Sequence, residues 1–428
     1  MNERERTPSV AVVGGGWAGL AAAVELAAHG RPVTLLEAAS QLGGRARSVE
    51  WEGIRIDNGQ HLFIGAYRET LRLMRRVGSA ERLERRSLRL VLPGFGLRLP
   101  GLPAPLHLAW GLLSAKGLTL REKGVAAAFM LRLQRRRFKL SQDVTAAALL
   151  AQHRQPSRLI ASLWAPICVA ALNTPLDQAS AQVFCNVLRD SLGGERADSD
   201  LLFNRGELDA LFPAPAAAYI QRRGGEVRLR TRVKAIRRDL AGYFLEGPDL
   251  HAERVILAVH PARLPALLAR LPEMASVSRQ VGGYSWQPIH TTWLRFAAPV
   301  RLPYPMLALG DGASPWVFDR HDLAPGLLSV VVSAEGPHLD VPNTVLRDRH
   351  LARLRALLGE LPVLQNWRCI VEKRATYTCT PGLFRPEPVT PLPGLYLAGD
   401  YTRGDYPATI EGAVRSGVEC ARSILASR

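Results

Sequence analysis

VAVVGGGWAGLAAAVELAAHGRPVTLLE, residues 10–37, decides the fold. Val10 to Val13 form an apolar run of strand length, and Val33 to Leu36 form a second. Between them lie G-x-G-x-x-G, at Gly14, Gly16 and Gly19, and an alanine-rich helical stretch that Gly30 is placed to end. Strand, glycine turn, helix and a strand ending in a carboxylate make a βαβ unit suited to a dinucleotide. Gly14 allows the tight turn, Gly16 lets backbone N–H groups approach a pyrophosphate, and Gly19 lets the helix pack closely on the strands. Trp17 and Ala18 open the helix, where orphan N–H groups and the positive end of the dipole face the phosphates. Glu37 stands where a carboxylate accepts hydrogen bonds from a ribose 2′-OH, which argues against a 2′-phosphate.

The residues after Glu37 bear on which dinucleotide is bound. ASQLGGRARS, residues 39–48, sets Gly43, Gly44 and Arg45 on the loop after the second strand. There the arginine can reach back to the pyrophosphate, and the glycines leave the cofactor room. Near the other end of the chain, GLYLAGDYTRGDYPATIEGAVRSGVECARSIL reads as a short strand (Leu395 to Ala398), a Gly399-Asp400 turn, a loop and a helix. That helix carries Ile410, Ala413, Val414, Gly417, Ala421 and Ile424 on one face. Beginning near Thr409 and Ile410, it aims its N–H groups and positive dipole at whatever precedes it, a suitable neighbour for a flavin edge that gains negative charge on reduction. Asp400, a poor neighbour for phosphate, is suited to accept a hydrogen bond from a ribityl hydroxyl.

These three pieces together resemble the superfamily of FAD-dependent amine oxidases, protoporphyrinogen oxidases and phytoene desaturases. Within it, GGGWAGLAAAVEL, GGRARS, DNGQHLFIGAYRETL, the central FCNVLRDSLGG and SDLLFNRGELDALFPAPAAAYI, and the terminal PATIEGAVRSG are similar to the bacterial hydroxysqualene dehydroxylases of the hopanoid pathway. The resemblance runs over nearly the whole chain. It implies an α/β fold in which a Rossmann-like FAD-binding domain is interleaved with a mixed α+β substrate-binding domain, with one FAD held from both ends of the chain. It implies a reductive reaction: hydride passes from N5 of reduced FAD to the hydroxyl-bearing carbon of hydroxysqualene, hydroxide departs as water, and squalene results. It further implies a backbone contact from Val233 to adenine and a loop, IDNGQHLFIGAY at 56–67, that passes the flavin. Oxidative desaturation and amine oxidation run on the same scaffold, with Trp286, Trp293, Tyr401 and Tyr406 available for an aromatic cage. A flavin-free lipid carrier is the remote alternative, against which the intact glycines, Glu37, Arg45 and the Asp400 turn argue.

At 428 residues, 47% of them hydrophobic, the chain exceeds what one core usually supports, so two domains are expected. The motifs assign residues 1–90, 222–285 and 386–428 to the FAD-binding domain, and 91–221 and 286–385 to the substrate-binding domain. Cys168, Cys185, Cys369, Cys379 and Cys420 show neither C-x-x-C nor zinc spacing, which points away from a metal or a disulfide scaffold and toward a reducing cytoplasm. The charged MNERERTPSV runs straight into the first strand, leaving no room there for a signal peptide.

A net charge of +17 comes almost wholly from arginine, since only five residues are lysine. Arg68, Arg72, Arg75 and Arg76, beside an apolar stripe of Tyr67, Leu71, Met74 and Val77, read as a solvated helix face. Nothing carries the signature of a DNA or RNA module, so nucleic acid is not expected as a partner and an anionic membrane surface is preferred. LPGLPAPLHLAWGLLSA, residues 99–115, and LIASLWAPICVAALNTPL, residues 159–176, are uncharged but proline-broken, poor candidates for a span and suited to core or to substrate or membrane access. VAAAFMLRLQRRRFKL, residues 125–140, joins an apolar run to Arg132, Arg135, Arg136, Arg137 and Lys139, the composition of a helix lying on the inner membrane face.

The loop at 56–67 is the expected wall of the reaction site. Gly59 makes its turn with Asn58; Gln60 and His61 follow with donors and acceptors; Asp57 is suited to holding the loop. Hydroxide leaves poorly, so an acid should protonate it while apolar surroundings exclude water. His61 is a candidate for that acid because histidine titrates near neutral pH, although a lone histidine more often serves structure. Asp405 and Tyr406, in the loop before the terminal helix, are rivals. Gly94-Phe95-Gly96 lacks the helix a second fingerprint requires, so no NAD(P) domain is expected and the flavin takes electrons from an external reductant, a free reduced flavin or a reductase.

Overall fold

The computed structural model describes residues 9–310 and 315–427. Its central sheet has five parallel strands in the order Glu226–Arg228, Val33–Leu36, Val10–Val13, Arg254–Leu257 and Leu395–Leu397. The fingerprint strand is buried on both faces, which is why it reads as an unbroken apolar run. Val10 and Val12 enter one core; Ala11 and Val13 enter another.

In the first core lie the fingerprint helix Trp17–Ala28, buried from Trp17 to Ala27, and the terminal helix Ile410–Ala426. Small residues bring their backbones together: a Cβ on Gly417 would stand 2.0 Å from the Ala18 carbonyl oxygen. The second core runs from Ala11 and Val13 to an antiparallel sheet and the helices that cover it. That sheet has the order Met306–Ala308, Trp316–Asp319, Leu327–Ser333, Trp286–Phe296, Leu364–Tyr377. Phe129, Trp164 and Phe184 from the helical segment share this interior with Leu294 and Val330. The stretch 159–176 supplies Leu159, Leu163, Trp164, Cys168 and Leu172 to it and is core.

Two expectations change. The boundary at 221/222 cuts through the helix Pro213–Arg222, which packs on the fingerprint helix. Phe212, Ala216 and Ile220 share a core with Leu20 and Val24, Trp17 stacks on Phe212 at 5.0 Å, and strand Leu201–Asn204 pairs with Phe63–Ile64 and Leu83–Arg86. Residues 201–221 therefore go with the dinucleotide half; helical periodicity marks an apolar face without saying which layer it meets. The arginines of helix Arg68–Val77 are likewise more than a solvated face. Arg72 and Arg76 pair with Glu25, a buried carboxylate of the fingerprint helix, at 2.9 and 2.8 Å, and Arg68 pairs with Asp198 at 3.0 Å.

Candidate active site

A cavity of about 820 Å³ lies at the carboxyl ends of the central parallel strands, where Val13, Leu36, Ala258 and Gly399 reach its wall. Open α/β sheets take their ligands in this position. Gly14, Gly16, Trp17, Ala18, Glu37, Gly44 and Arg45 line it from the N-terminal side. Val233, Gly399, Asp400, Thr409 and Ile410 line it from elsewhere in the chain, as do Gly59, Gln60 and His61. Gly19 stands outside this lining, and its part is in packing.

The glycines separate what the fold requires from what a ligand requires. A Cβ on Gly14, whose φ is +112°, would stand 2.3 Å from the Ala258 carbonyl oxygen, and one on Gly19 would stand 1.9 Å from that of Gly14. Both positions are closed by protein. At Gly16 the nearest atom to a Cβ is the Cα of Gly44 at 3.9 Å, so the fold would accept a side chain there. Gly16 is also the N-cap of the fingerprint helix and offers no side-chain cap, leaving helix N–H groups free for an anion. Gly43 donates its N–H to the Gly15 carbonyl at 2.9 Å and brings Gly44 beside Gly16. This floor of bare backbone fits a pyrophosphate.

Glu37 is fixed at the cavity edge by two backbone donors, Gly15 N–H and Ala39 N–H, each at 2.7 Å, with lone pairs left for ribose hydroxyls. Arg45, on the cavity lining, also has protein partners that its place in the sequence did not show. Its guanidinium donates to Asp400 at 2.7 Å and to the Ala375 carbonyl at 2.7 Å, so it clamps the second-strand loop, the antiparallel sheet and the Gly399-Asp400 turn together. The pairing also neutralises Asp400, which lets a carboxylate stand in a site shaped for an anion. At the terminal helix, Thr409 is the N-cap and its hydroxyl accepts from Gly412 N–H at 3.1 Å. Glu411, wholly buried two residues on, accepts from Glu69 N–H and Thr70 N–H and so caps helix Arg68–Val77. That places Tyr67 on the cavity wall, where burial and then the Glu411 carboxylate raise its pKa and keep it an O–H donor.

The opposite wall is built on a buried ion pair. Asp57, wholly buried, accepts from Ser48 Oγ and Leu208 N–H, each at 2.9 Å, and pairs with Arg320 at 3.2 Å. Arg320 lies beneath the antiparallel sheet against the Trp293 ring and donates to Gln60 Oε1 at 2.9 Å and to the Gly206 carbonyl at 2.9 Å. Ser329 Oγ donates to the same Gln60 oxygen at 3.2 Å, so the Gln60 side chain is pinned. His61 Nδ1–H donates to the Gly59 carbonyl at 3.1 Å, which leaves Nε2 as the acceptor nitrogen of the neutral ring. Burial lowers the His61 pKa; Asp57 and the Gly59 carbonyl partly oppose this, and Arg320 adds to it.

Asp405 does not belong to this site. Its side chain is 64% exposed and pairs with Arg189 at 3.1 Å, and it lies outside the cavity lining. Tyr406 sits over Arg415 instead, 4.5 Å from ring centre to guanidinium. Trp286, Trp293, Tyr401 and Tyr406 are all absent from the lining, so they make no cage in it. Three residues escaped the reading of the chain. Arg320 is one of fifty arginines with no local pattern around it, Glu411 is an acidic residue in an ordinary helix start, and His260 reaches the cavity on the loop after Arg254–Leu257. Burial and then Arg45 push the His260 pKa down to about 4.

Residues 17–425 match the family described as flavin containing amine oxidoreductase. The hydroxysqualene dehydroxylase of Rhodopseudomonas palustris is 31% identical to the chain, over 98% of this chain and 99% of that protein. The zeta-carotene desaturase of Synechocystis is 25% identical over 98% and 97%. Among solved structures, an oxidoreductase from Methanosarcina mazei superposes with a TM-score of 0.73 at 17% identity, covering 97% of this chain and all of that one. The chain belongs to the flavin containing amine oxidoreductase family and, within it, to the hydroxysqualene dehydroxylase branch.

Proposed function

We propose that this chain converts hydroxysqualene to squalene by reductive dehydroxylation, a step of squalene and hopanoid biosynthesis. The observation that carries the reading is full-length similarity to a hydroxysqualene dehydroxylase, joined to a cavity whose glycine floor and carboxylate edge suit FAD. FAD, bound and reduced, supplies a hydride to the hydroxyl-bearing carbon. The substrate gains that hydride and one proton, and its hydroxyl leaves as water.

The protein supplies position, dryness and the proton. Leu62, Ala170, Ala171, Ala266, Leu267 and Ile289 give the cavity a small apolar wall. Asn173 in that wall is internally satisfied: its amide donates to Thr376 Oγ1 at 3.0 Å and its carbonyl accepts from Ala334 N–H at 2.6 Å. His61 is assigned the proton, carried on Nε2. Burial keeps the ring neutral at pH 7 and makes the protonated ring a stronger acid, so turnover limited by this step rises as pH falls toward the lowered pKa.

With a single dinucleotide fingerprint, electrons come from an external reduced flavin or a reductase. No helix of the described residues is long and apolar enough to cross a membrane. The chain is assigned to the cytoplasmic face, peripheral on an anionic bilayer that stores its long isoprenoid substrate. Similarity to a carotene desaturase supports a second reading, isoprenoid desaturation, in which electrons flow the other way. Incubation of the flavin-loaded protein with hydroxysqualene and a reduced-flavin supply distinguishes them. Squalene as product supports dehydroxylation; no squalene, with a product two hydrogens poorer appearing under oxygen or quinone, replaces it with desaturation.

A further inference from the structure

Residues 98–140 hold nine cations and one carboxylate, Glu122, which puts eight of the seventeen net positive charges in a tenth of the chain. The same segment holds six of the fourteen large hydrophobic residues that are exposed among the described residues. We infer that the outer face of helix Leu106–Ser114 is a membrane-docking ridge that inserts into an anionic lipid surface, with the flanking cations resting on the headgroups. The inference deepens the reading given above, that the substrate is a long isoprenoid kept in a bilayer.

Leu106, Trp110 and Leu113 stand at i, i+4 and i+7, so they share one face of the helix, and each is more than half exposed. The opposite face is committed. Leu108 and Leu112 pack on the main core, and a Cβ on Gly111 would stand 2.4 Å from Leu99 Cδ2 and 3.1 Å from the Arg98 carbonyl oxygen. Backbone contact at Gly111 therefore stops the helix from rolling its apolar ridge inward. Lys123 ties the far end down by donating to the Leu113 carbonyl. The stretch from Leu99 to Ala115 carries no charged residue, while Arg98 and Lys116 bound it on either side. A tryptophan between two leucines is suited to the lipid headgroup boundary, since its ring is apolar and its N–H stays wet.

The neighbouring helix Leu120–Arg135 plays a different part from the one its composition announced. Its apolar residues Ala126, Phe129 and Leu133 are buried in the core, so it does not offer them to lipid. Besides the exposed Leu120 and Leu131, what it and the turn after it offer is charge. Arg132, Arg135, Arg136, Arg137 and Lys139 pair with no carboxylate among the described residues, whereas Arg68, Arg72 and Arg76 all do. A surplus of cations with no carboxylate partner among the described residues, on and just after the helix that packs against the ridge helix, matches an anionic bilayer in charge as the ridge matches its apolar interior.

The test is co-sedimentation of the flavin-loaded full chain with vesicles of phosphatidylcholine alone or mixed with phosphatidylglycerol, alongside tryptophan emission. The wild type should bind the anionic vesicles with a blue shift. The variant Leu106→Ser/Trp110→Ser/Leu113→Ser should bind at least about tenfold more weakly while keeping its flavin absorbance, its Tm and its squalene formation from detergent-dispersed substrate. Arg135→Gln/Arg136→Gln/Arg137→Gln should weaken binding at low salt and converge with the wild type at high salt. Unchanged vesicle binding by the ridge variant overturns the ridge and leaves the membrane reading standing. No vesicle binding by the wild type overturns both. A vesicle-free dimer that the ridge variant abolishes overturns the inference in favour of contact between two copies. Loss of squalene formation in detergent by the wild type itself faults the dehydroxylase reading and not the ridge.

Discussion

The two ends of the cavity are built in opposite ways. At the nucleotide end the wall is backbone: Gly14, Gly16 and Gly44 on a strand and two turns, with helix N–H groups behind them, nearly all within residues 10–45. At the reaction end it is side chain: Gln60 and His61 on a loop held by Asp57 and Arg320, with Ser329 and Gly206 completing the frame. Backbone shaped by glycine depends on local sequence. A frame of side chains drawn from 57, 206, 320 and 329 depends on the whole fold being assembled.

The largest expected effects test the nucleotide end. Gly19→Val, with no room for a Cβ, should destabilise by more than about 3 kcal/mol or prevent folding. Gly16→Val should fold with a near-normal circular dichroism spectrum and melt yet purify without flavin, because only the ligand needs that space. A colourless Gly16→Val that is also unfolded would erase the distinction between fold glycines and ligand glycines. At the reaction end, Arg320→Met strands the Asp57 carboxylate and should cost about 3–5 kcal/mol by thermal or denaturant melting. Asp57→Asn in that background should recover part of the loss, since it removes the uncompensated charge. Absence of any recovery would mean that the pair is not the frame of this wall.

The nucleotide end was legible because its demands fall on consecutive residues. Turn, close approach and helix start each select glycine at a fixed spacing, and Glu37 follows at the end of the next strand. Thr409 and the Gly399-Asp400 turn were legible for the same reason. Arg45 was found but its clamp on Asp400 was not, because that reach spans 355 residues of sequence. Arg320 and Glu411 act only through tertiary contacts, and a buried arginine looks in sequence like any surface one. Asp405 erred the other way: proximity in sequence to the terminal helix suggested chemistry, and the chain turns its side chain to solvent against Arg189.

Smaller effects sharpen the same contrast. Arg45→Ala should loosen flavin retention and lower stability by about 1–2 kcal/mol, between an exposed and a buried pair, as read by flavin release on dilution and by Tm. His290, in the sheet of the reaction end, and His350, in helix Asn343–Leu358, have pKa values that burial pushes down to about 4. Both stay neutral in the fold and charge near pH 6.5 when unfolded, so the unfolded state binds more protons in between and stability falls as pH drops from about 6.5 to about 4. His350→Leu should flatten that part of the Tm–pH curve; an unchanged slope would place the acid sensitivity elsewhere. Asp405→Asn is the smallest, within about 0.5 kcal/mol of wild type in stability and unaltered in turnover, while His61→Gln slows product formation. Equal turnover in both variants would remove His61 from the reaction.

Prereduced protein mixed anaerobically with hydroxysqualene, with no other electron source, should give one squalene by mass for each flavin reoxidised. Flavin that stays reduced, with no squalene formed, would contradict the assignment.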